Sequence, residues 1–72
     1  MEYTIVLDPA EGGEGYTVLV PALPGCITQG RTREEAIERA KEAIAAYIES
    51  LRADGEPVPE ETLPVEVFKV AV

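Results

Sequence analysis

Cys26 and Ser50 are the only cysteine and the only serine in this 72-residue sequence. Either would need a neighbouring base to act as a nucleophile, and histidine is the usual one. The sequence contains no histidine. The Ser-His-Asp arrangement and the usual general base near neutral pH are therefore both absent. Cys26 reads instead as a small apolar side chain in a strand, and Ser50 lies on a helix outside any nucleophile motif. The fourteen Asp and Glu residues raise a second chemistry. Metal-dependent nucleases hold divalent ions with several converging carboxylates. Only Glu2, Asp8 and Glu66 fall in or at the ends of expected strands. The rest sit on a helix face or in loops, as a solvated acidic surface does. Zinc would need more thiolate or imidazole ligands than one cysteine supplies. Glu11 and Glu14 share a glycine-rich turn but match no EF-hand loop, and Gly12-Gly13-Glu14-Gly15 lacks the Gly-Lys-Ser/Thr ending of a phosphate-binding loop. No catalytic residue, metal ligand or cofactor site is expected.

The elements that would carry these residues fit one small domain spanning 1–72. Apolar residues make up 46% and charged residues 28% of the chain, an ordinary globular balance. A domain this small buries only about 60% of its unfolded surface. Small folds usually gain margin from disulfides, metals or self-association. With the first two unavailable, a homo-oligomer, dimer or tetramer, is expected. The formal net charge of −8 opposes direct nucleic-acid binding, which needs Lys and Arg against phosphates. It favours basic protein partners. The start of the chain has no basic segment leading into an apolar one, and no apolar run approaches the roughly 20 residues that span a bilayer. Together with the lone cysteine, this suggests a cytoplasmic protein and no membrane association.

Residues 2–8 read as a strand of β-formers. Residues 9–15 are a turn, and 16–20 form the second arm of a hairpin. Pro21-Ala22-Leu23-Pro24-Gly25 breaks that strand, because neither proline can donate to a ladder. Residues 26–29 form a short third strand. Thr32 is a good helix N-cap, with Glu35 three residues later. Ala36, Ile37, Ala40, Ala43, Ile44, Tyr47, Ile48 and Leu51 recur at three- and four-residue steps as one apolar stripe. Glu35 and Arg39 are spaced as an i,i+4 ion pair. Gly55 stops the helix and Pro57 prevents its continuation. Residues 65–72 read as a last strand. The expected fold is α+β, β-β-β-α-β, a four-stranded mixed sheet in the order 3-2-1-4 with one helix on one face.

The strands do not alternate cleanly. Tyr3, Ile5 and Leu7 oppose Val6, and Val18 and Val20 oppose Leu19, so both sheet faces are partly apolar. One helix covers one face. An uncovered apolar face on a small domain suggests an interaction surface. The most specific local string, Pro21 to Cys26, reads as a bend with Leu23 tucked onto the core. It also reads as a proline-fixed ridge offered to a partner. The expected partner-binding residues are Pro21, Leu23, Pro24, Val6 and Leu19.

At this point the sequence resembles the HicB antitoxin family. The resemblance rests on Gly15-Tyr16, Pro21-Ala22-Leu23-Pro24-Gly25-Cys26, Gly30-Arg31-Thr32-Arg33-Glu34-Glu35-Ala36, and Ala40-Lys41-Glu42-Ala43, which together cover nearly the whole chain. It implies a degraded RNase H-like fold without nuclease activity, and a partner that is a small basic mRNA-cleaving toxin of the HicA type. The family's usual Asp in the proline string is Ala22 here. Full antitoxins also carry a C-terminal DNA-binding domain, for which this sequence has no room after residue 72. The chain resembles the short, stand-alone members. The expected function is therefore non-enzymatic toxin-neutralising protein binding. The rivals are a structural homo-oligomer of unknown role and a residual metal-dependent nuclease.

Overall fold

Thr32 opens the most regular element. Its Oγ1 accepts a hydrogen bond from the Glu35 backbone N–H at 3.0 Å, and helix α1 runs from Arg33 to Ala53. The Glu35 carboxylate turns back to the backbone N–H of Arg31 at 3.1 Å, so the capping box closes one residue earlier than its usual form. Glu35 is thus engaged away from Arg39. Among the described residues, the ion pair on the helix is Lys41–Glu38, 3.1 Å long and exposed. At the other end, Gly55 N–H donates to Arg52 C=O and Glu56 N–H to Leu51 C=O. These two bonds are the glycine-ended closure that the sequence predicts.

The computed structural model describes residues 2–61, 66 and 68–72. Its strands are β1 (Val6–Pro9), β2 (Tyr16–Leu19) and β3 (Ile27–Gly30). They form one antiparallel sheet in the order β1-β2-β3. The register pairs Val6 with Leu19 and Leu7 with Val18 across one junction, and Leu19 with Ile27 and Val18 with Thr28 across the next.

Two expectations are corrected here. Among the described residues there is no fourth strand, and the sheet is three-stranded and antiparallel, not mixed with order 3-2-1-4. Val65 and Val67 lie outside the described residues, while Glu66 and residues 68–72 have no regular structure and are exposed. Their β-forming types report a fit to a pleated, half-buried surface rather than an intrinsic preference. Without a neighbouring strand there is no such surface to fit. The first strand also begins at Val6, not Glu2. In this register Ile5 would stand opposite Val20, where the chain has already left β2 for the Pro21–Gly25 turns. Residues 2–5 are held by the chain after the helix instead. Tyr3 Oη donates to Pro59 C=O at 2.6 Å, and Thr4 N–H donates to the Glu61 carboxylate.

One sheet face meets α1 in two apolar clusters. Val18, Ala36 and Ala40 form the first, with Ile5, Leu7 and Tyr16 packed around them. Val20, Leu23 and Cys26 form the second, with Tyr3, Ile5, Ala43, Ile44 and Tyr47 around them. Two alanines at the crossing let the helix approach the sheet closely. The approach is tightest at Gly30, where a Cβ would stand 2.4 Å from the Ala36 backbone nitrogen.

Candidate functional site

The other face of the sheet carries the surface of interest. Because side chains alternate along a strand, the register sets Val6, Leu19 and Ile27 side by side as one row on the face away from α1. Val6 is half-buried, while Leu19 is 39% and Ile27 61% exposed. The next row on the same face is Asp8, Thr17 and Gln29, all polar. The face is therefore split into an apolar strip and a polar strip with a carboxylate at its edge.

The apolar strip runs up to the Pro21–Gly25 segment, where the backbone is closed by three hydrogen bonds. Leu23 N–H donates to Val20 C=O at 3.0 Å, Cys26 N–H to Leu23 C=O at 3.0 Å, and Val20 N–H to Cys26 C=O at 3.2 Å. The segment is thus two successive turns sharing Leu23. Each has proline as its second residue, where a fixed φ near −65° is preset for a turn. The second needs a positive φ at its third position, and Gly25 supplies it at +81°. Tyr47 on α1 donates its hydroxyl to Pro24 C=O at 2.7 Å, tying the outermost point of the turns to the helix.

The structure divides the expected partner-binding residues into two groups. Pro21 and Pro24 are exposed, and Leu19 and Val6 lie on the outward row. Leu23 points the other way and is fully buried at 0% exposure, so it anchors the turns and presents no surface. Ile27 and Tyr47 escaped the sequence-based selection. Ile27 could have been found by pairing Leu19 across the bend, which places 27 opposite 19. Tyr47 could have been found as the one hydroxyl on an otherwise aliphatic and alanine stripe, where a phenol needs an acceptor.

Cys26 is buried, and burial pushes its thiol above the ordinary value of 9.0, which opposes formation of the reactive thiolate. Glu2, Asp8 and Glu66 are exposed. Among the described residues, no group of three or more His, Cys, Asp or Glu side chains converges to hold a metal. Among the same residues, no helix is long and apolar enough to cross a membrane.

Comparison with known proteins places this geometry in context. A family profile described as HicB_like antitoxin of bacterial toxin-antitoxin system matches residues 3–71. A UPF0150 protein of Thermoplasma acidophilum is 54% identical over 59 residues, spanning 82% of this chain and 84% of its own. A UPF0150 protein of Synechocystis is 47% identical over 70 residues, spanning 97% and 87% respectively. The antitoxin HicB of Escherichia coli K12 is 39% identical over 59 residues, which are 82% of this chain but 42% of that antitoxin.

Proposed function

Since the chain belongs to the family of HicB-like antitoxins of bacterial toxin–antitoxin systems, we propose that it is a toxin-neutralising module that covers a small basic HicA-like mRNA-cleaving toxin with the outward row Val6–Leu19–Ile27 and the ridge of Pro21 and Pro24. The observation that carries this reading is the row itself. Three apolar side chains stand together on an open sheet face, next to turns fixed by hydrogen bonds and by Tyr47. A rigid surface binds without losing much conformational freedom, so more of the contact energy appears as affinity.

The charge works in the same direction. A chain of net charge −8 attracts a basic partner and raises the encounter rate. An enzyme that cleaves RNA must itself attract a polyanion, so an acidic cover competes for the same basic surface. The apolar strip then supplies desolvation at the centre, with Asp8 on the polar row beside it. In this reading the protein is non-enzymatic, acts in the cytoplasm where mRNA is cleaved, and does not bind nucleic acid directly. It also self-associates, as a dimer or tetramer.

Titration calorimetry against a purified small basic HicA-like toxin tests the reading. The expected result is binding tighter than micromolar that weakens with added salt. Leu19→Asp with Ile27→Asp is expected to weaken it by at least about a hundredfold, since both lie in the desolvated centre. Absence of binding by the unaltered protein rules out the toxin as partner. Equal binding by the double variant rules out this face.

A further inference from the structure

On the helix side of the molecule an apolar groove stays open. It lies between residues 2–5 and the middle of α1, has a volume of about 610 Å³, and is lined by Tyr3, Ile5, Ile37, Ala40, Ile44 and Ile48. The chain also carries apolar side chains that fill nothing. Phe68 is 75% exposed, Val70 78% and Val72 fully exposed. They recur at every second residue, so in an extended backbone they line one side. Within one copy the groove and these side chains do not meet.

We propose that the groove receives Phe68, Val70 and Val72 of a second copy of this chain. This rests on the self-association proposed above and assigns its contact surface. Three observations select a second copy as the occupant. First, among the described residues the large exposed hydrophobics are these three together with Leu19 and Ile27. The latter two lie on the opposite sheet face, so the C-terminal residues are the apolar group left to match the groove. Second, opposite charges can pair. Glu2, Lys41 and Glu61 stand among the groove-lining residues, Glu61 already accepting from Thr4 N–H, and the C-terminal stretch carries Glu66 and Lys69, so Lys41 pairs with Glu66 and Lys69 with Glu2. Third, each copy owns both a groove and a C-terminal stretch. Two copies can exchange them about a twofold axis and leave none unfilled, which closes the assembly as a dimer. The net charge of −8 per copy opposes this approach over distance, so the dimer tightens with added salt, opposite to the salt response expected for the basic toxin.

The contact lies on the face away from Val6, Leu19 and Ile27, so a dimer presents two toxin-binding faces, both outward.

Sedimentation equilibrium of the full chain, from micromolar to millimolar, tests the proposal alongside two variants. Phe68→Asp with Val70→Asp alters the inserted residues, which touch no core in a single copy. Ala45→Asp alters the groove at an exposed helix position. Each is expected to raise the dimer dissociation constant at least about tenfold, with helical circular dichroism unchanged. An equimolar mixture of the two variants is expected to form a heterodimer through its one intact groove and stretch. An unaltered chain that stays monomeric to millimolar concentration overturns self-association altogether. A dimer whose constant neither variant changes overturns only this contact surface. A monomer whose thermal midpoint falls in both variants, with nothing restored on mixing, shows the stretch folding onto its own groove and overturns the exchange.

Discussion

Val20–Cys26 and Phe68–Val72 are both short, apolar segments, and they end in opposite environments. In the first, Val20, Leu23 and Cys26 are buried within a few per cent of completely. In the second, every described residue is exposed. Residue type does not separate them, because Phe68, Val70 and Val72 are at least as hydrophobic as their counterparts. The difference lies in the backbone. Val20–Cys26 closes on itself through three backbone bonds and the Tyr47 hydroxyl, so Val20, Leu23 and Cys26 enter the core with their own N–H and C=O groups bonded. An extended segment has no such internal closure and stays out until another strand or surface accepts its backbone. Burial here follows hydrogen-bond closure first and hydrophobicity second.

Truncating one residue in each segment should expose that contrast most strongly. Leu23→Ala removes a fully buried side chain and is expected to cost about 3 kcal/mol, a large share of the stability of so small a domain. Phe68→Ala, in protein dilute enough to be monomeric, is expected to change stability by less than about 0.5 kcal/mol. Denaturant titration of both variants checks the pair, and comparable losses would break the contrast. Next in size is Tyr47→Phe, which removes the bond to Pro24 C=O and is expected to cost about 1 kcal/mol. Amide exchange at Leu23 and Cys26 should accelerate with it, whereas exchange along β1 should not.

The Cys26 thiol gives a gentler probe through pH. Burial raises its folded-state value above the ordinary 9.0, so the fold favours the neutral thiol. That contribution is fully present below pH 9.0 and is lost as pH rises above it through the folded value. Thermal midpoints of the native protein should therefore fall more steeply above pH 9.0 than those of Cys26→Ala. Parallel profiles would show that the thiol feels no burial. The smallest stability effect is expected from Ile27→Ser on the outward row, within about 0.5 kcal/mol, because the side chain is already 61% exposed. The same change should weaken toxin binding measurably, which separates a presenting residue from a supporting one.

Much of this arrangement is legible in the sequence, and what is legible is local. The Thr32 cap, the Gly55 stop and the stripe from Ala36 to Leu51 depend on residues within a few positions of one another, and the helix matches them to its ends. The opposition of Val18 and Val20 to Leu19 depends only on alternation, and it holds. The start of β1 and the expected last strand depend on distant partners. Val6 begins β1 because Tyr3 and Thr4 bond to the chain after the helix, and Glu66 and residues 68–72 pair with no strand of the sheet. Of the partner-binding residues, Leu23 shows the same limit. Its type and position suggest a place in the ridge, but only the direction of the turn decides that it faces inward.

At Gly30 the sheet and helix touch backbone to backbone, and the absence of one carbon sets their angle. A methyl there would overlap the Ala36 nitrogen, and the helix would have to swing aside about its first turn. Tyr47 sits eleven residues further along, roughly 16 Å away at 1.5 Å per residue, so a swing of about five degrees would carry it about 1.4 Å. Its 2.7 Å bond to Pro24 would not survive that travel. The helix is thus a lever pivoted at Gly30, and the stiffness of a turn far from the pivot is set by the smallest side chain in the protein.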